Sequence, residues 1–376
     1  MNNALLSPCT LPKARLQPAS ITLVVVANEH FSYAQKSLES IYKHTKIPFE
    51  LVYVDAGSPK YVQNYLIREA TQKGFTLLRT NHFLSPNQAR NIGLSRVTTD
   101  YVVFINNDIH VSPGWLGSLW QCAKETDATI VCPLTCVGKP LHDRVYMAGG
   151  EARVFTAKQN GQTHRRLYEK HFLANRKVSI IKHQLYRRTC EFAELSCLLV
   201  RRDIFEQVGY LDEKLLSSQQ DMDFCLSVAQ VGGRMFCEPT SVVTHSSEAS
   251  YHWSDMAYAM LRWSDAWEVE SLMHFQQKWE LDMDQYFIQR YKQLGHRRQQ
   301  LLNRLSHQLT GDRQVPWLEK CFLGLDHRLN QVISDHYTRR SSNTLRQVIP
   351  ITEPLQLNSK HSGGLSCESF NQQSTC

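Results

Sequence analysis

ITLVVVANEHFSYAQKSLESIYKHTKIPFELVYVDA (21–56) decides the fold. Its first eight residues, ITLVVVAN (21–28), form a continuous run rich in β-branched side chains that ends in polar ones. A strand buried on both faces of a parallel sheet reads this way. In SYAQKSLESIYKHT (32–45), Leu38, Ile41 and Tyr42 recur at helical spacing, with Ser32 placed to cap the helix. FELVYVDA (49–56) is a second strand with a polar end.

The alternation continues on the C-terminal side. A helix is expected over YVQNYLIREATQKG (61–74), a strand over FTLLRT (75–80), and a helix over SPNQARNIGLSRV (85–97), where Ser85 caps and Pro86 takes the first turn. YVVFIN (101–106) is a fourth strand, PGWLGSLWQCAKE (113–125) a helix and ATIVCPLT (128–135) a fifth strand. This order predicts an α/β protein with a mostly parallel sheet flanked by helices. Ligands of such sheets bind beyond the carboxyl ends of the strands.

From 136 to 190 the pattern loosens and reads as an insertion or variable loop region. Regularity returns with AELSCLLVRRDIFEQVG (193–209), a strand running into a short helix. The helix-like SQQDMDFCLSVAQVGG (218–233) and the strand RMFCEPTSVVTH (234–245) follow. WSDMAYAMLRWSDAWEVESLMHFQQKW (253–279) is long and aromatic-rich; Trp253, Trp263 and Trp267 could stack on an acceptor sugar or close the site, but at helical spacing Trp263 and Trp267 are more often core. Residues 281–335 form a basic helical extension. Residues 1–20 read as a flexible arm and 336–376, rich in Ser, Asn and Gln, as a disordered tail.

With 376 residues, 42% of them apolar, and 42 Lys plus Arg against 35 Asp plus Glu, the chain is mildly basic at +7 and long enough for a sizeable core. No run approaches the roughly twenty apolar residues of a membrane-spanning helix, and residues 1–20 lack the apolar stretch of a secretory signal. A cytoplasmic protein is expected, with the basic helical face able to touch the inner surface of an anionic membrane. Eleven cysteines without a C-x-x-C pair are expected to be reduced and buried.

Polar residues gather at strand ends. Asn28 and Glu29, Asp55, and Asn106-Asn107-Asp108 close successive buried strands, and a carboxylate such as Asp108 can hold Mg2+ or Mn2+ against a diphosphate. Taken singly, each could be a turn residue; their recurrence points to a binding crevice. His245, closing TSVVTH, can ligate a metal, although a lone His more often sits in a satisfied hydrogen-bond role. In Gln219-Gln220-Asp221-Met222-Asp223, Asp223 reads as a helix-terminal structural acid and Asp221 as the candidate general base.

Together these stretches resemble the family 2 glycosyltransferases with the GT-A fold, in particular rhamnosyltransferase-like bacterial members. The match is strongest in ARNIGLSRVTTDYVVFINNDIHVSPGWLGSL (89–119), with support from ITLVVVAN, VYVDAGS, QQDMDFCLSVAQVGG, VVTHSS and HFQQKW. The resemblance implies a GT-A domain over 21–280, with a nucleotide-binding half at about 21–135 and an acceptor half at about 190–280. It implies inverting, metal-dependent transfer from a nucleotide-diphosphate sugar to a hydroxyl of a glycan or glycolipid. Asn28, Glu29, Asp55, Arg90 and Asn107 would bind the nucleotide sugar, Asp108 and His245 the Mn2+ or Mg2+, and Asp221 would take the acceptor proton. The family's Asp-x-Asp is here Asn106-Asn107-Asp108 and its Glu-Asp is Gln220-Asp221; each loses one negative charge and keeps the carboxylate given a role.

Two other readings compete. One is a non-catalytic module of the same fold that binds a nucleotide sugar or glycan. The other is a Rossmann-like nucleic-acid-binding protein using LGHRRQQLLNRLSHQL (294–309). No G-x-G-x-x-G follows the first strand and no aromatic-basic RNA motif is present, so nucleic acid is not an expected partner.

Overall fold

The computed structural model describes residues 20–159, 161–246 and 252–310, together with 324, 326, 328, 330–332 and 349–350. The arm expected at 1–20, except Ser20, and nearly all of the expected tail lie outside the described residues.

The predicted alternation is present. Strands β1 (Ile21–Val26), β2 (Glu50–Ala56), β3 (Thr76–Thr80) and β4 (Tyr101–Asn106) alternate with helices α1 (Ala34–His44), α2 (Lys60–Lys73) and α3 (Pro86–Leu94). After the short β5 (Ile109–Val111) come α4 (Trp115–Thr126), β6 (Ile130–Val137) and β7 (Arg144–Met147). A two-stranded ribbon of β8 (Gly150–Gln159) and β9 (Gln162–His171) follows, then α5 (Val178–Ile181) and β10 (Arg188–Thr189). The loose region at 136–190 is therefore mostly β-structure. Its polar, basic residues mask the pattern because the ribbon forms its own sheet. β11 (Cys197–Arg201), α6 (Ile204–Val208), α7 (Gln220–Gln230) and β12 (Met235–His245) complete the sheet region. Helices α8 (Met256–Arg262), α9 (Asp265–Lys278), α10 (Gln285–Lys292) and α11 (His296–Thr310) follow.

The main sheet runs β10-β12-β6-β11-β4-β1-β2-β3, and β13 (Ile349–Pro350) pairs antiparallel with β3 at the far edge. β3, β2, β1 and β4 are mutually parallel, as are β6 and β12. β11 is inserted antiparallel between β4 and β6. Alternate residues of β1 serve two cores. Leu23 and Val25 pack with Leu38 and Ile41 of α1, Leu66 of α2 and Leu119 of α4. Val24 and Val26 lie on the opposite face with Ile92 of α3 and Phe224 of α7. Each such side chain contributes about 1.5–3 kcal/mol by leaving water, which is why these strands are apolar throughout.

Local signals explain the helix starts. Ser85 and Gln88 form a reciprocal capping box ahead of Pro86. Ser32 does not cap α1: Tyr33 occupies the N-cap, and the Ser32 hydroxyl and amide donate to the buried Asp255. The seven cysteines among the described residues are free and buried. Among the described residues no helix is long and apolar enough to cross a membrane.

Candidate functional site

The carboxyl ends of β1 and β4 and the end of β12 meet at one edge of the sheet. β5 continues the turn after β4 and pairs antiparallel with β12, setting His245 opposite Ile109. This pairing brings Nδ1 of His245 to 3.8 Å from Oδ1 of Asp108, too far for a hydrogen bond. Asp108 is fully buried, and neither of its carboxylate oxygens has a hydrogen-bond partner among the described residues. Burial opposes its ionisation, yet the imidazoles of His245 and His30 outweigh burial and hold its pKa below the ordinary value. Conversely, burial disfavours the His245 imidazolium, but Asp108, Glu194 and Glu29 raise its pKa.

A buried carboxylate with both oxygens open beside an imidazole is a donor set that fits a hard divalent cation. Among the described residues no three His, Cys, Asp or Glu side chains form a closed cage. A cation bound by two protein groups leaves positions for phosphate oxygens and water.

A cavity of about 410 Å3 opens at this edge, lined by Asn28, Glu29, Arg90, Asp221 and His245 among others. Five of the eight residues expected from the sequence thus share one wall system, and Asp108 abuts it through His245. Asn107 does not line the cavity; it is buried, and its backbone N–H donates to the Val26 carbonyl at 2.8 Å. Asp55 also stands off the cavity. Its carboxylate accepts from the Ser58 amide at 3.0 Å and hydroxyl at 2.9 Å and pairs with Arg79, its neighbour across β3.

At the other side of the cavity, Gln219 adopts a left-handed conformation (φ 65°) that is uncommon for a residue with a side chain. This turn starts α7 so that Gln220 and Asp221 face the cavity. Oδ1 of Asp221 accepts from the Leu195 amide at 2.7 Å. Asp223 is structural, as expected, but it acts as a tie: it accepts from Trp279 Nε1 at 2.9 Å and pairs with Lys278 at 2.8 Å.

Glu194 is a carboxylate that sequence reasoning missed. Tyr146 donates to its Oε1 at 2.8 Å, its Oε2 lies 3.9 Å from His245 Nε2, and burial followed by the nearby Asp221 raises its pKa. The available signal was an acid just before the apolar run LSCLLV. Because β11 runs antiparallel, its amino end lies at the same edge as the carboxyl ends of the parallel strands.

Arg90, on α3, is buried and donates to Asn106 at 3.0 Å and Asn87 at 3.3 Å; burial pushes its pKa down to about 10. The C-terminal helices close the cavity. Trp263 is buried in a small apolar cluster with Ala259, Leu301 and Leu302, as the core reading has it, and it also lines the cavity, where its Nε1 donates to Glu29 at 2.8 Å. Trp267 is buried. The helical extension is only partly a solvated basic face. Arg290 pairs with Glu169 at 2.7 Å, Arg298 is buried in pairs with Asp265 and Asp326, and Arg297 stands over Trp263 at 4.8 Å.

Residues 22–209 match the family described as Glycosyl transferase family 2. Among curated proteins the chain is similar to a pre-mycofactocin glycosyltransferase of Mycobacterium tuberculosis, with 27% identity over 169 residues. That alignment covers 45% of this chain and 32% of the relative. It is also similar to the succinoglycan biosynthesis protein ExoW of Rhizobium meliloti, with 23% identity over 223 residues, 58% of this chain and 66% of the relative. Among solved structures it matches the mannosyltransferase PcManGT from Pyrobaculum calidifontis in complex with GDP-Man and Mn2+. There the identity is 15% and the TM-score 0.46, with 85% of this chain and 84% of that chain covered. The chain spans about a third of the length of the mycobacterial relative.

Proposed function

The chain belongs to glycosyl transferase family 2, and from that premise we propose that it transfers a sugar from a nucleotide-diphosphate donor to a hydroxyl of a glycan or glycolipid, with inversion. The observation that carries this reading is that His245 and Asp221 line one cavity, with Asp108 behind His245 at 3.8 Å. Asp108 and His245 would hold Mn2+ or Mg2+, which when bound supplies positive charge for the departing diphosphate. Asn28, Glu29 and Arg90 would line the donor's path, with Asp55 and Asn107 behind it. Asp221, fixed by the Leu195 amide, would accept the acceptor's hydroxyl proton as its oxygen attacks the anomeric carbon and the bond to the phosphate oxygen breaks.

A calorimetric screen of UDP-, GDP- and dTDP-sugars with and without Mn2+, followed by product analysis, tests this reading. Metal-dependent binding of one donor with turnover supports it. Tight binding without turnover of any donor supports the non-catalytic module, and no binding by any donor rejects the donor site.

A further inference from the structure

The positive charge of the chain is concentrated in one segment. Residues 150–190 hold ten Lys and Arg against two Asp and Glu, a net +8, whereas the whole chain carries +7. From Lys170 to Cys190 there are six Lys and Arg and no acid. Arg187 is engaged by Glu125 and Glu238. Lys170, Arg176, Lys177, Lys182 and Arg188 form no ion pair within 4.0 Å among the described residues, and the first four of them are exposed. The bordering acids have their own cations: Glu169 pairs with Arg290 and His171, and Glu191 with Arg153. Asp143 is followed by the exposed Arg144, which lies opposite Lys177 in an antiparallel β-bridge.

Local structure sets apolar groups among these cations. In α5 and the turn Lys182–Gln184 that follows it, Val178, Ile181 and Leu185 recur at helical spacing and pack on the main core. Ile180 falls off that face. At 69% it is the most exposed large apolar side chain among the described residues, and Tyr186 reaches 61%. The Arg188 guanidinium lies 4.2 Å over the Tyr186 ring and 5.8 Å over that of Phe172, where the Lys170 ammonium also stands, at 5.9 Å. Arg188 donates to the Gln184 carbonyl, and Gln184 shares a hollow of about 420 Å3 with Arg176, Ile180 and His183. Cations and apolar groups thus form one continuous surface. A single exposed apolar side chain is ordinary; an Ile and a Tyr set among five unpaired cations are not what contact with water alone requires.

Long cationic side chains beside apolar ones suit the boundary of an anionic bilayer, where the cations meet lipid phosphates and the apolar groups leave water. A soluble polyanion would satisfy the cations and leave Ile180 wet. We infer that the 170–188 surface docks on an anionic lipid bilayer, with Ile180 and Tyr186 entering the headgroup layer and Lys177, Lys182 and Arg188 meeting lipid phosphates. This moves membrane contact away from the C-terminal helices, whose Arg290 and Arg298 are engaged in internal ion pairs. His171 lines both the hollow and the cavity that Asp221 lines, so the docking surface and the cavity share a wall. That docking serves a lipid-borne acceptor rests on the transferase reading; docking itself does not.

The test is co-sedimentation of the full chain, without nucleotide or metal, with phosphatidylcholine vesicles that contain or lack phosphatidylglycerol, beside a titration with heparin. Binding to the anionic vesicles and not to the neutral ones is expected. Lys177→Gln combined with Lys182→Gln weakens it by about fivefold for each charge removed. Ile180→Ser, which changes no charge, weakens it severalfold, whereas Lys292→Gln on α10 has little effect. Unchanged melting temperatures show that the variants fold. No binding to anionic vesicles, equal binding to both kinds, or full binding by the double lysine variant overturns the inference. A loss with Lys292→Gln as large as with the lysine pair overturns it too. Heparin binding that the lysine pair loses, with vesicle binding intact in Ile180→Ser, makes a soluble polyanion the occupant and also overturns it. A protein that docks but turns over no donor keeps the surface and rejects the transferase reading; one that transfers to a soluble acceptor and binds no vesicle does the reverse.

Discussion

His245 stands 3.8 Å from Asp108 because β5 pairs with β12, so that a strand of three residues fixes the geometry of two groups far apart in the chain. Asp108 is buried with both oxygens open, and the imidazoles of His245 and His30 favour its charge. Asp108→Asn keeps the volume and removes the charge. It is expected to weaken Mn2+-dependent nucleotide binding by tenfold or more while leaving the metal-free melting temperature nearly unchanged. Calorimetry with and without Mn2+ checks this, and equal metal dependence in both proteins would remove Asp108 from the metal site.

Asp221 and Glu194 form a carboxylate pair whose members are held differently, one by the Leu195 amide and the other by the Tyr146 hydroxyl. Loss of a general base lowers a rate by about 100- to 10,000-fold. Asp221→Asn should lower the single-turnover transfer rate within this range and change donor affinity little. If Asp221→Asn keeps a near wild-type rate and Glu194→Gln does not, the base is Glu194.

Much of this geometry was legible in the sequence, for identifiable reasons. β1, β2 and β4 are apolar on both faces because both faces are covered, so their polar ends stood out and led to Asn28, Glu29 and Asp108. His245 and Asp221 stood out in the same way, as a strand end and a helix start. Glu194 did not, because it precedes its strand, and only the antiparallel insertion of β11 brings it to the same edge. The engagement of Asp55 with Arg79 depends on the register of β2 against β3, which periodicity does not reveal. Arg262 was not singled out, because only the closure of α8 over the cavity, a tertiary fact, brings it to the lining.

Gly93 sets how closely α3 approaches β1. A Cβ there would lie 2.3 Å from Cγ1 of Val24, a distance that no neighbour tolerates without moving. Overpacking of this kind costs about 1–3 kcal/mol. Gly93→Ala should lower stability within that range in urea unfolding, and adding Val24→Ala should recover part of the loss in a double-mutant cycle. A Gly93→Ala protein as stable as the wild type would mean that α3 does not press on β1 this tightly.

Asp212 gives the loop before α7 a dependence on pH. Its carboxylate accepts from His274 Nε2 at 2.9 Å, from Lys278 Nζ at 3.1 Å and from the Lys214 amide at 3.1 Å. Burial alone would raise its pKa, but these contacts outweigh burial and hold it below the ordinary 3.8. With the folded pKa below the unfolded one, the unfolded chain binds the proton more readily. The group's contribution is therefore complete above about pH 3.8 and is lost as pH falls through the folded value. Hydrogen bonds to charged partners are worth about 1.5–3 kcal/mol, so Asp212→Asn should lose stability on that scale at pH 7. The gap to the wild type should close as the pH drops below 3.8. Urea unfolding of both proteins across that range reads the difference directly, and a gap of constant size down to the lowest pH would show that these contacts do not favour the ionised carboxylate.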